Sequence, residues 1–218
     1  MTSAHLSCPD TVSGSAQQGS ATIFTRSGGT WTEQQTITQS DGATGDRFGS
    51  SVALSSDGST AIVGAPNDDL GSASDAGTAT IFTRSGGTWT EQQKMWGYLP
   101  AASDQFGFWV ALSSDATTAI VGAIYDDVSG VANQGSATIF TRSGGTWTEQ
   151  QTITQTDGEA SDFFGYSVAL SSDGNTAIVG APQDDVARRS PWTTFNGSRC
   201  AGYFCAAPSG RSAPSTWR

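Results

Sequence analysis

The chain has 218 residues, enough to bury a substantial core as one domain or two small ones, with 36% hydrophobic and only 14% charged residues. Its net charge is -10, and between Gly19 and Asp185 there are 19 acidic against 5 basic residues, a field that repels phosphate backbones and argues against a nucleic-acid partner. No segment approaches the roughly 20 apolar residues of a membrane helix, so membrane insertion is not expected, and the first residues lack the apolar run of a signal peptide.

In chain order, residues 1–9 read as an irregular head containing His5 and Cys8. Residues 10–186 then repeat. GSATIFTRSGGTWTEQQ stands at 19–35 and again, unchanged, at 135–151, and the copy at 77–93 differs only at Thr78. Phe48-Gly49, Phe106-Gly107 and Phe164-Gly165 keep the same period of 58, as do Gly64, Gly122 and Gly180. Within one unit, short apolar or alternating runs bounded by SDG and SGG predict four strands, at 50–56, 60–65, 78–84 and 88–95. The first two are rich in Val, Leu, Ile and Ala and the fourth in Thr, Glu and Gln, which suits a blade with its first strand innermost. Such a sheet cannot bury its faces alone, so the expected fold is all-β, a β-propeller of four-stranded blades built from three repeats, with a β-solenoid as runner-up. Trp31, Trp89 and Trp147 open the fourth strands and are expected to pack between blades. Three blades fall short of the roughly four to eight of a closed ring. The expectation is therefore a partial or open propeller, part of a larger one, or one completed by self-association. Residues 187–218 read as a basic, irregular tail with Cys200 and Cys205, whose pairing stays open, and a glycosylation sequon at Asn196.

Phe48-Gly49 followed by Gly64-Ala65-Pro66, and Phe164-Gly165 followed by Gly180-Ala181-Pro182, resemble FG-GAP repeats, a family that includes the propeller of integrin α chains. The resemblance covers about residues 10 to 186. It implies an extracellular or cell-surface propeller for adhesion or ligand binding, with a protein or carbohydrate held by the loops from strand 2 to 3 and from strand 4 to the next strand 1.

The resemblance also implies a calcium loop between strands 1 and 2, where Asp57, Asp115 and Asp173 stand. Only one carboxylate remains there, against the roughly 6 to 8 oxygens calcium takes, so the expectation is a type I′ hairpin turn at Asp57-Gly58. Ala116 replaces the turn glycine in the middle repeat, which predicts a different turn there. No cofactor is expected; the weak calcium alternative rests on Asp46, Asp68 and Asp69, where acids before FG and after GAP share one propeller face. Asp104 and Asp162 precede the other two FG pairs, and Asp184-Asp185 follow the last GAP.

The middle repeat departs from its siblings at KMWGYLPAASDQFGFW (94–109). Its aromatics next to the acidic pairs make Asp68, Asp69, Asp126, Asp127, Trp96, Tyr98, Trp109 and Tyr125 the candidate ligand residues. Catalysis has little footing: the sole His is His5, no Gly-x-Ser-x-Gly elbow occurs, and no Lys or Cys recurs as a nucleophile. A structural scaffold and a hydrolase using loop carboxylates are the alternatives to a non-enzymatic binder.

Overall fold

A computed structural model describes residues 16–185 and three short strands beyond them. The described residues divide into two compact units at Asp184/Asp185. In the first, twelve strands alternate with tight turns: β1 Ala21–Ser27, β2 Thr30–Ile37, β3 Ser51–Leu54, β4 Thr60–Ala65, β5 Thr78–Ser85, β6 Thr88–Met95, β7 Phe106–Leu112, β8 Thr118–Ala123, β9 Ser136–Ser143, β10 Thr146–Ile153, β11 Ser167–Leu170 and β12 Ala177–Gly180. They form two complete antiparallel sheets, β3-β4-β5-β6 and β7-β8-β9-β10, and two half-blades, β1-β2 and β11-β12. This is a partial β-propeller. The first strands β3, β7 and β11 pack successively against one another, as inner strands of neighbouring blades must.

The strand gradient read from composition is realised. All six residues of β4 are buried, because this strand lies inside its sheet and both of its faces meet neighbouring blades. The cores are inter-blade. One cluster joins Ile37 and Phe48 to Val63, Phe82 and Trp89, with Phe48 and Phe82 edge to face at 5.9 Å. Trp89 and Trp147 are buried between blades as expected, but Trp31 is exposed, since among the described residues no earlier blade lies against β1-β2. The polar fourth strands also bind blade to blade: Gln35 Nε2 donates to the Trp89 carbonyl (3.0 Å) and its Oε1 accepts from the Trp89 N–H (2.9 Å). Gln93 makes the same two-way contact with Trp147, at 2.8 and 2.9 Å.

The FG and GAP signatures have a direct structural reason. Gly49 N–H donates to the Gly64 carbonyl (3.0 Å), and Gly165 N–H to that of Gly180 (3.1 Å). A side chain at Gly64 would run into the backbone carbonyl of Gly107 in the following blade, so only glycine allows the blades this approach.

Two turn expectations need correction. Gly58 N–H closes onto the Ser55 carbonyl (2.9 Å) and Gly58 has φ +63, whereas Asp57 has no positive φ. The connection is a type I turn followed by a left-handed glycine, not type I′. Ala116 takes the same left-handed position, φ +52, and closes onto Ser113 (3.0 Å), so the middle hairpin keeps the form of its siblings. Serine and aspartate side chains hold that loop and offset the cost of Ala116: Ser113 Oγ donates to Asp115 Oδ1 and accepts from the Thr118 N–H.

The second unit contains β13 Trp192–Phe195, β14 Ser198–Ala201 and β15 Phe204–Cys205 in one antiparallel sheet, within the stretch read as an irregular tail. Its backbone register sets Cys200 opposite Cys205. His5, Cys8 and the sequon residue Asn196 lie outside the described residues.

Candidate functional site

Three blade junctions carry the same acidic elements: an Asp before FG, and an Asp-Asp pair after the next strand 2. At the first junction Asp68 is buried, and its Oδ2 accepts from Gln39 Nε2 (2.6 Å), Thr78 Oγ1 (2.6 Å) and Lys94 Nζ (2.7 Å). Lys94 also donates to Asp41 Oδ2 (2.8 Å). Burial opposes the Lys94 charge, but its hydrogen bonds to Asp41 and Asp68 outweigh that and raise its pKa. Asp41 is pulled the other way: partial burial raises it, and Lys94 and Gln39 lower it further than burial lifts it. Asp46 is buried and accepts from the Ala43 N–H (2.6 Å); burial, then repulsion from Asp68 and Asp69, push its carboxyl up.

The position expected for a cation on Asp68 is filled by the chain's own ammonium. Among the described residues no three His, Cys, Asp or Glu side chains group as metal ligands. The strand 1–2 loops do not fit calcium either. Asp57 Oδ1 accepts from Ser55 Oγ (2.6 Å) and the Ser59 N–H (2.9 Å), and Oδ2 from Ser59 Oγ (2.7 Å), so the lone carboxylate is spent inside the turn. These bonds hold Asp57 at about 2.

The third junction keeps part of the first arrangement: Gln155 Nε2 donates to Asp184 Oδ2 (2.8 Å), and Asp162 accepts from the Glu159 N–H (2.7 Å). The second junction differs. Asp104 is only 8% exposed, with Oδ2 accepting from the Ala101 N–H (2.7 Å). Burial, then the charges of Asp126 and Asp127, raise its carboxyl to about 6. A cavity of about 330 Å³ opens beside it, walled by Tyr98, Leu99 and Pro100 from the strand 4–1 loop and by Asp126, Asp127 and Val128 from the strand 2–3 loop.

The candidate ligand residues therefore separate. Tyr98, Asp126 and Asp127 share this cavity; Trp96 lines a neighbouring depression with Lys94 and Glu149. Trp109 lies elsewhere, beside Arg47, Pro66 and Tyr166, and Tyr125 packs edge to face on Phe163 at 5.3 Å. Phe108 likewise packs on Tyr166, at 5.2 Å. Asp68 and Asp69 belong to the first junction, Asp68 locked by Lys94 and Asp69 accepting from the Asp75 N–H (2.8 Å). Sequence reasoning missed Gln39, Gln155 and Lys94; aligning the repeats at 58 residues for polar differences, and not only for aromatic ones, finds them.

With this geometry in view, the FG-GAP repeat profile matches residues 31–82, 89–140 and 147–191, more than half of the chain. The chain belongs to the FG-GAP repeat family. No curated protein matches it. Among solved structures, the FG-GAP chain is similar to the periplasmic gluconolactonase of Pseudomonas aeruginosa, at 18% identity and a TM-score of 0.51, covering 78% of this chain and 46% of that one. A chain of a mitotic checkpoint complex is similar at 16% identity and a TM-score of 0.43, with 70% and 38% covered. This FG-GAP chain spans less than half the length of either, and at such identity the first likeness shows the fold alone.

Proposed function

We propose that this chain is a non-enzymatic, ligand-binding propeller segment of the extracellular adhesion type, taking a protein or carbohydrate ligand through the loops from strand 2 to 3 and from strand 4 to the next strand 1. The observation that supports it is the second-junction cavity, built from both loop classes at once, with apolar and aromatic walls and a few carboxylates, the composition of a ligand pocket. Among the described residues no helix is long and apolar enough to cross a membrane. Nuclear magnetic resonance titration with a panel of glycans and short peptides tests the proposal. Saturable shifts centred on residues 97–104 and 126–129, lost in Tyr98→Ala/Leu99→Ala with the circular dichroism kept, are expected. Absence of any saturable shift there overturns it.

One observation favours a second reading, hydrolysis. A buried carboxyl that titrates at about 6, as Asp104 does, is suited to general acid or base work, and a protein of similar fold is a gluconolactonase. Turnover of gluconolactone that disappears in Asp104→Asn would establish it in place of simple binding.

The same proposal extends to self-association. The half-blades are complementary: β1-β2 are third and fourth strands, and β11-β12 are first and second. In the complete blade β4 pairs with β5, Ile62 opposite Ile81 and Gly64 opposite Ala79. Carried by the repeat, this register sets Ile178 of one copy opposite Ile23 of a second, and Gly180 opposite Ala21. Two copies so joined make six blades, within the roughly four to eight of closed propellers. Light scattering should give twice the 22.4 kDa chain mass, and Ile178→Lys should return it to the single value. A single-chain mass at every concentration refutes this pairing.

A further inference from the structure

The second junction is open because side chains that fill its siblings are missing from it together. At the first junction Gln18 Nε2 donates to the Gln39 carbonyl (3.3 Å), and Gln39 in turn donates to Asp68. At the third, Gln134 donates to the Gln155 carbonyl (3.0 Å), and Gln155 to Asp184. One period on from Gln18 and Gln39 stand Ala76 and Gly97, and one period on from Lys94 stands Thr152. All three residues line the cavity, together with Asp104 and Asp126. Asp126, whose counterparts Asp68 and Asp184 each take a glutamine amide, thus faces a cavity with neither amide nor ammonium in it, beside Asp104, which accepts from the Ala101 N–H as Asp46 accepts from that of Ala43.

We propose that this cavity takes the side-chain ammonium of a lysine from a protein partner, seated on Asp126 as Lys94 is seated on Asp68, with Asp104 as the second carboxylate. The assignment rests on the ligand-binding reading above and names its ligand. The sibling junction supplies a precedent within the same protein: Lys94 Nζ stands 2.7 Å from Asp68, the counterpart of Asp126, and 2.8 Å from Asp41, whose place one period on is taken by Leu99, which leaves Asp104 to share the charge. The walls supply the remainder. Leu99, Pro100, Ala101 and Phe106 form an apolar lining that suits a four-carbon alkyl stem better than a hydroxylated ring. An ammonium there also relieves the repulsion among Asp104, Asp126 and Asp127, an interaction strengthened by partial exclusion of water.

The test uses the full chain and two compounds that share a stem, Nα-acetyl-lysine methylamide and Nα-acetyl-norleucine methylamide, with glucosamine as a third arm, all followed by amide chemical shifts. The lysine compound should saturate shifts around Gly97 and Ala101 with an affinity at least tenfold above norleucine, weakening as salt is added. Asp126→Asn should lower that affinity tenfold or more. Ala76→Gln/Gly97→Gln installs the sibling plug and should abolish binding; Gly97 has no positive φ, and a side chain there meets only the Phe106 ring at ordinary contact distance. If the plugged chain fails to fold, Asp126→Asn alone decides. Equal binding of norleucine, preference for glucosamine, or binding that survives the Asp126→Asn or plugged variants overturns the ammonium assignment while leaving a ligand site in place. Silence with every probe here and with the glycan and peptide panel removes both.

Discussion

The complete blades and the half-blades are built from nearly the same words, yet they live in different surroundings. Residues 19–35 and 135–151 are identical, but Phe24 is 52% exposed and Phe140 only 4%. Trp31 is 63% exposed where Trp89 is 4%, and Ile178 is 71% exposed where Ile62 is fully buried. All of these residues belong to strands, and each strand pairs with its hairpin partner in the same register: Ser51 lies opposite Gly64 and Ser167 opposite Gly180. The difference lies entirely in what covers the sheet. Hairpin formation in this protein is local, whereas core formation belongs to the contact between blades.

The contrast can be measured by making one substitution in both surroundings. Phe82→Ala should cost about 3–5 kcal/mol in urea denaturation, because Phe82 is buried against Phe48 and Trp89. Phe24→Ala should stay within about 0.5 kcal/mol in the single chain. Equal losses would show that the half-blade is covered in solution. Gly64→Ala should cost roughly 1–3 kcal/mol by forcing the Gly107 backbone away, while the same change at Gly180 meets only the Ser167 hydroxyl, which can rotate aside. Thermal unfolding of the two variants separates these cases, and similar midpoints would deny that the GAP glycine spaces the blades. Ile62→Val should cost about 0.5–1.5 kcal/mol and Ile178→Val a few tenths at most.

Smaller effects come with pH. The Asp104 carboxyl ionises near 3.8 when unfolded and at about 6 in the folded chain, beside Asp126 and Asp127, so the folded state binds more protons between those values. Stability should fall as pH rises through that window, and Asp104→Asn should flatten the fall; an unchanged pH profile would place the carboxyl in water. The turn carboxylates act in the opposite sense. Asp57 in a complete blade and Asp173 in a half-blade are both held at about 2 by serine hydroxyls and turn N–H or amide donors. Each contributes stability present above 3.8 and lost as pH falls toward 2, and that acid-side loss should shrink by a like amount in Asp57→Asn and in Asp173→Asn. A difference between them would mean that blade completion reaches even the turns.

Much of the architecture was legible in the chain. The four strands expected at 50–56, 60–65, 78–84 and 88–95 lie within two residues of the observed ends, because alternation and turn residues act over a few positions. The acidic loops were legible as a group, and so was the oddness of the middle repeat. The cavity was not legible: residues 94–109 stand out by the aromatics they gain, whereas the cavity is opened by the side chains that Ala76 and Gly97 lack. Tyr125, expected as a ligand residue for the same reason, packs on Phe163.

Period, strand order within a hairpin and the turn role of Asp57 follow from interactions among residues a few positions apart, so local sequence suffices for them. Which phenylalanine is core, which aspartate meets Lys94 and which junction stays open depend on groups from different blades, such as Lys94 and Asp41, 53 residues apart. Only packing blade against blade brings these groups together, and there the same local sequence yields buried core in one copy and open surface in another.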